Sequence, residues 1–413
     1  MRLACLLGAV GWFAALLPCS VASAREPTEF EQYMLERMNF ARANPLLEIQ
    51  RLLNLPWGDD ENAAADLNEG LPAGTISSAP KQPLAFNLNL IDAASDYSDT
   101  LLANGAFGHN FGGTDIGSRM RSAGYSFVPA AGAGENLQVT ASSIPLPITR
   151  GEVDKHHAEL FIDDGVSGRG HRTNIMNPAW REVGLGIRTS DSYGRFGCCP
   201  HAVLTTQDFA FTSAPGGGPF ITGVAYRDVN SDEFYTPAIG EALGGLDVDV
   251  LLSGTDTLVA STTTLLGGGY KVGGFDAGTY DVRFTGTNID ETYRSVVFDG
   301  EFNLKLDAID PGFTSLAADL TRNGFVDFED LTVLLANWNK QVGAEAGNLV
   351  MPNKSPVNFD DLTVLLAAWT GPGPAGAPPA ALSTTAVPEP STAVLGLIAA
   401  LGVGGARRRR RCI

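Results

Sequence analysis

Residues 168–189 read GRGHRTNIMNPAWREVGLGIRT. Within this stretch His171 lies between Arg169 and Arg172, a short helical start follows, and Asn177-Pro178 stops it before an alternating run opens at Glu182. Proline disfavours the helical region for the residue before it, so the helix ends there. The period-two pattern of EVGLGIRT predicts a strand. A second run, AVLTTQDFAF at 202–211, predicts another through its β-branched and aromatic content.

Upstream the period is helical. Phe30, Tyr33, Met34, Met38 and Ala41 share one face at spacings of three and four, and Asn44-Pro45 ends that helix. Residues 56–80 are polar and glycine-rich, a surface insertion; Leu84, Leu88, Leu90, Ile91, Ala94 and Tyr97 open a second helix. Helices first and strands after predict an α+β layered fold over residues 27–212.

All five histidines lie in this segment: His109 in AFGHNF, His156 and His157, His171, and His201. Glu135 stands in AGENLQ, and Asp163-Asp164 close ELFIDD. This series resembles the bacterial form of the CAP superfamily, the SCP-like proteins. The resemblance implies an α-β-α sandwich with a cleft tetrad of His109, Glu135, His171 and one more acid. Phe161 stands where the family carries tryptophan, which places Asp164 on the acid position, with Asp163 as the alternative. It further implies extracellular binding of small amphiphiles or, in rare members, peptidase activity.

Two imidazoles beside two carboxylates suit a divalent metal held through His109 and His171, zinc being the usual ion. They equally suit a histidine held for general-base work, or a polar network that stitches the sandwich together. No serine or cysteine nucleophile stands in a recognisable elbow, so binding is the first reading. A hydrolase acting on peptides or glycans is the second. His156 and His157 are adjacent and cannot share a helix face, so at most one reaches the cleft. His201 reads as a surface-loop residue, and Arg172 as a cap or a carboxylate's partner.

A chain of 413 residues exceeds one ordinary core. SAPGGGP at 213–219 is a linker, and 371–387 a Pro/Ala/Gly stalk. Between 220 and 306, short alternating runs separated by glycine turns predict an all-β sandwich. GVAYRDVNSDEFYTPAIGEALGGLDVDV and GYKVGGFDAGTYDVRF resemble SdrD B-like and Cna-B-type modules, which reads as a spacer. Asp228, Asn230 and Asp232 have the one-three-five spacing of a calcium loop, with Glu241 as closing ligand, although Glu233 replaces the expected glycine.

Residues 315–370 contain a repeat, VDFEDLTVLLANW (326–338) recurring as VNFDDLTVLLAAW (357–369). DLTRNGFVDFED places Asp319, Thr321, Asn323, Phe325 (through its carbonyl), Asp327 and Asp330 at calcium-ligand positions of an EF-hand-like loop. A calcium loop and one helix, twice, resemble a dockerin type I module, a small helical unit whose partner is a cohesin in polysaccharide-degrading assemblies. In the second copy Val350, Pro352 and Lys354 occupy ligand positions, so one calcium ion is expected.

The ends read as addresses. Residues 1–24 run from Arg2 through an apolar stretch to Ala22-Ser23-Ala24, a secretory signal. Residues 388–413 carry Pro388-Glu389-Pro390, an apolar segment and five arginines at 407–411. That order resembles the PEP-CTERM sorting tail, which implies transient membrane anchoring, a sorting protease, and release to the exterior or cell surface. The formal charge of −18 disfavours nucleic acid and anionic lipid as partners. Of five cysteines only the adjacent Cys198 and Cys199 lie away from the ends, which excludes a disulfide framework.

Overall fold

The computed structural model describes residues 25–53, 66–230, 232–286, 289–310, 318, 320, 326, 328–343, 346–350, 355–367 and 369. The signal and sorting-tail expectations, the stalk, and Asp319, Thr321, Asn323, Phe325 and Asp327 lie outside the described residues.

Helix α1 (Glu29–Ala43) starts at a capping box: the Glu31 amide donates to Thr28 Oγ1 (3.2 Å), and the Thr28 amide donates to Glu31 Oε2 (2.8 Å). Asn44 caps its end, and the proline that stops α1 opens α2 (Pro45–Leu53), its missing N–H costing nothing in a first turn. Strand β1 (Ala85–Phe86) precedes α3 (Leu88–Ala103), capped by the Asn87 side chain. Then come α4 (Ile116–Ser122), β2 (Ala131–Ser142), α5 (Arg150–Ile162), α6 (Gly170–Ile175), β3 (Glu182–Ser190) and β4 (His201–Thr212).

The four strands form one sheet in the order β1-β3-β4-β2, with β2 at an edge. Period-two geometry sends alternate residues of β3 to opposite faces. Val183, Leu185 and Ile187 join Tyr33, Met34 and Met38 of α1 in one core, whereas Gly184 and Gly186 lie against the backbone of α3 at Leu90 and Ala94. Helices therefore cover both faces, and the layered α-β-α arrangement follows.

Strands β5 (Phe220–Tyr226), β6 (Asp247–Leu252), β7 (Leu258–Thr263), β8 (Gly269–Gly273), β9 (Gly278–Gly286), β10 (Ile289–Phe298), β11 (Leu304–Lys305) and β12 (Ala308–Ile309) build further sheets. An antiparallel sheet runs β10-β9-β6-β7, while β5 pairs with β8 on one side and with β11 and β12 on the other. Ile221, Val248, Val250, Val282, Phe284 and Phe298 fill the space between them.

This β module is not a detached spacer. Val224, Tyr226 and Tyr235 belong to the same buried cluster as α1, and the Arg37 guanidinium sits 4.1 Å over the Phe234 ring. Lys305 Nζ pairs with Glu36 Oε2 at 2.8 Å, and the Asn303 side chain donates to the carbonyls of Pro83 (2.9 Å) and Arg181 (2.8 Å). The glycine-rich 213–219 segment joins two bodies that share a core.

Helices α7 (Phe328–Ala336) and α8 (Phe359–Ala367) carry the two repeats. Phe328 meets Trp369 and Trp338 meets Phe359, each edge-on with centroids 5.0 Å apart, so the duplicated sequences pack reciprocally. Among the described residues no helix is long and apolar enough to cross a membrane.

Buried polar contacts also set the acid limit of the fold. Glu48 is buried between Arg51 (Nη2 to Oε1, 2.7 Å) and His157 (Nε2 to Oε1, 2.8 Å). Burial alone would raise its carboxyl, but the hydrogen bonds from Arg51 and His157 hold it at about 2. A depressed folded value stabilises the protein above the unfolded carboxylate range and loses that contribution as pH falls through the folded one. Between about pH 4.5 and 2, Glu48→Gln should show a shallower fall of urea midpoint with acid than the parent.

Candidate functional site

The site is built around residues 135 and 136 of the edge strand β2. Consecutive residues point to opposite faces. On the α3 face, Glu135 Oε1 lies 2.7 Å from His109 Nδ1. Its second oxygen accepts from Arg119 Nη2, and Arg119 Nη1 donates to the carbonyls of His109 and Thr114, both at 2.9 Å. The guanidinium lies 3.5 Å over the Tyr97 ring. The Tyr97 hydroxyl donates to the Gly108 carbonyl and accepts from the Phe111 amide (3.0 Å), fixing the turn that carries His109.

On the opposite face, Asn136 Nδ2 donates to the His171 carbonyl at 3.2 Å. His171 is the second residue of α6, and its acid is Asp163, the C-cap of α5. Asp163 Oδ2 accepts the His171 amide (2.8 Å), and Oδ1 lies 2.7 Å from His171 Nδ1. Asp163 adopts φ 55°, a left-handed conformation that aspartate tolerates better than most residues, and this turns its carboxylate toward α6. Asp164 is instead half-exposed and bound by Arg169 Nη1 at 3.3 Å. The alternative acid, not the one aligned by Phe161, thus meets His171.

Both histidines have the same wiring. A carboxylate accepts at each Nδ1, which in the neutral ring puts the proton on Nδ1 and the lone pair on Nε2. The His109 side chain is 45% exposed and that of His171 21%. Each ring thus keeps Nε2 as its remaining polar atom, His109 on the α3 face of β2 and His171 on the other. Glu135 and Asp163 are used in orienting the rings. Among the described residues no three His, Cys, Asp or Glu side chains converge to hold a metal ion.

Sequence reasoning missed two residues here. Arg119 braces Glu135, yet nothing in IGSRMRS separates it from Arg121. Asp208 faces Glu135 across the β2–β4 ladder; it is fully buried, and among the described residues no N–H or hydroxyl donates to its carboxyl oxygens. Burial and the neighbouring Glu135 push its carboxyl well above the usual range. Its signal was the acid at an inward position of TTQDF, legible once β2 is known to be its partner.

The other histidines lie elsewhere. Buried His156 bonds Thr140 Oγ1 (2.9 Å) and Thr205 Oγ1 (2.8 Å), His157 bonds Glu48, and His201 pairs with Asp191 at 2.7 Å. Buried Arg172 donates to main-chain carbonyls. In the β module, Asp228 accepts the amides of Asp232 and Glu233 (both 3.0 Å), and buried Glu241 accepts those of Val229 (3.1 Å) and Thr236 (2.6 Å). Asn230 Nδ2 donates to Asp232 Oδ2 at 3.1 Å, so these oxygens already hold their own loop. Burial, and after it Asp232 and Asp228, lift Glu241 to about 7 against the amides that lower it. Asp330 is buried at the start of α7.

No curated protein matches the sequence. Among solved structures, an extracellular protein containing an SCP domain from Bacillus anthracis is 20% identical, with 31% of this chain and 34% of that one covered and a TM-score of 0.22. This chain thus spans about a third of that protein's length. BmVAL-1 is 15% identical over 46% of this chain and 79% of its own, TM-score 0.28. A type II cohesin-X-dockerin complex from Acetivibrio cellulolyticus is 16% identical over 37% and 96%, TM-score 0.16. The family model for CAP, the cysteine-rich secretory protein family, matches residues 35–209, a span that takes in His109, Glu135, Asp163 and His171. With the four-stranded sheet and its covering helices, that match makes residues 35–209 a CAP domain.

Proposed function

We propose that this is an exported, multi-module binding protein whose CAP domain takes a ligand beside the edge strand β2 through His109 and His171. The observation that carries the reading is the paired wiring: each Nδ1 lies 2.7 Å from a buried carboxylate, which leaves Nε2 as the atom to ligate. A carboxylate behind an imidazole fixes its tautomer and raises its basicity, which is the support a metal-bound histidine needs. The donor chemistry fits zinc: two imidazole nitrogens from the protein, with the remaining positions going to water or a ligand atom. When bound, the ion would supply a positive centre for an anionic or carbonyl group of a small amphiphile. Protons compete for the same nitrogens, so affinity falls in acid.

Isothermal titration of the folded chain with zinc is the test. Loss of binding in both His109→Ala and His171→Ala, with unchanged thermal midpoints, supports the cleft. Asp163→Asn should weaken affinity by about 10–100-fold without removing it. Absence of zinc binding by the parent, with large stability losses in both alanine variants, makes the histidines part of a structural network.

Around this domain we read the secretory signal and the PEP-CTERM-like tail as routing the protein to the exterior or cell surface, with a sorting protease removing the tail. The extracellular description of the Bacillus relative agrees with that route. We read residues 315–370 as a dockerin-like module with one calcium ion and a cohesin-like partner. The reciprocal packing of the repeats supports it, as does Asp361, whose carboxylate accepts the amides of Val350 (2.9 Å) and Asn358 (2.8 Å) and so braces the second loop itself. In the β module we read Asp228, Asn230, Asp232 and Glu241 as a weaker calcium site, whose oxygens would have to give up the loop amides they accept.

A further inference from the structure

We propose that Cys198 and Cys199 form a vicinal dithiol site that reacts with low-molecular-weight disulfides and closes into a disulfide between neighbouring residues. Their Sγ atoms are 2.8 Å apart in the loop joining β3 to β4, with Cys198 exposed to solvent. The remaining cysteines are residues 5, 19 and 412, near the two ends of the sequence, and Cys198 and Cys199 are the only cysteines among the described residues.

The loop holds the pair together. The β3–β4 ladder runs out to Ser190 and Ala202, and beyond it the Tyr193 amide donates to the Pro200 carbonyl at 2.7 Å. Tyr193 is buried, its hydroxyl donating to the Ala106 carbonyl at 3.0 Å, and His201 pairs with Asp191 at 2.7 Å. A Cβ on Gly105 would lie 3.2 Å from the Arg195 amide, so the loop rests directly on the chain leaving α3. Gly197, at φ 48°, makes the turn into Cys198, and the Cys198 amide donates back to the Phe196 carbonyl. Thiols so placed need little reorganisation to meet.

The chemistry balances through the external disulfide. One protein thiolate attacks a sulfur of that disulfide and expels one thiol, leaving a mixed disulfide. The neighbouring thiolate then attacks the protein sulfur and expels the second thiol. Two electrons and two protons pass from the protein to the reagent. Consecutive Cα atoms are about 3.8 Å apart, below the usual disulfide span, so the closed ring is constrained and suited to exchange rather than to bracing the fold.

The test is thiol mapping of the full folded chain after incubation with oxidised glutathione. Following quenching with an alkylating agent, trypsin should release residues 196–227 unalkylated and lighter by two hydrogens, with alkylation restored by prior reduction. Cys199→Ser should instead hold one glutathione on Cys198. Recovery of parent peptide with both cysteines alkylated, with two glutathione adducts, or linked to a second chain would overturn the proposal.

Discussion

Arg172→Ala is expected to lower the free energy of unfolding by about 3–5 kcal/mol, because it leaves buried carbonyls without donors. The guanidinium is fully buried. Nε donates to the Phe161 carbonyl (2.7 Å), Nη1 to those of Leu67 (3.1 Å) and Glu69 (2.9 Å), and Nη2 to that of Ile162. One side chain thus ties the end of α5, the 66–70 turn and α6 together, and the Asp163–His171 pair sits on that corner. Arg172→Lys keeps the charge but lacks the planar fork, so it should recover only part of the loss. Urea unfolding followed by circular dichroism reads both. A loss under about 1 kcal/mol for the alanine variant would show that the corner holds by packing alone.

Gly184→Val should be more damaging still. A Cβ there would stand 2.0 Å from the Leu90 carbonyl carbon and 2.1 Å from its oxygen, and main chain cannot swing aside as a side chain can. Helix α3 would have to leave the sheet, and with it the Tyr97 hydroxyl that positions the His109 turn. We expect a cost of ~4 kcal/mol or more, seen as insoluble protein or a collapsed thermal midpoint. Gly151→Ala is the control: that glycine is exposed in α5, its nearest neighbour Thr149 Oγ1 at 3.9 Å, and the change should be neutral or stabilising by up to about 1 kcal/mol. A soluble Gly184→Val protein with parental stability would contradict the close packing of α3.

These two residues show what could be read from the chain. EVGLGIRT predicted β3 by alternation; the close approach of α3 at its glycines is set by topology that no local pattern encodes. Strand β2 escaped because AGAGENLQVTAS is polar and glycine-rich, and its burial comes from helices on both faces of the sheet rather than from its own pattern. The acid opposite His171 was ambiguous between neighbours for a related reason. A left-handed C-cap at Asp163 reverses the chain, so the inward residue is decided by backbone conformation rather than by helical phase. The six alternating runs of the β module were legible, since each strand carries its own period, but its union with the CAP core was not. That interface depends on Tyr33, Arg37 and Phe234 meeting across some 200 residues of sequence.

The most direct test of the central claim is anomalous diffraction at the zinc edge from crystals grown with zinc near neutral pH. The account predicts a peak about 2.0–2.1 Å from the Nε2 atoms of His109 and His171, with Glu135 and Asp163 still on the two Nδ1 atoms. Zinc absent from both rings, or bound at Nδ1 with the carboxylates displaced, would contradict it.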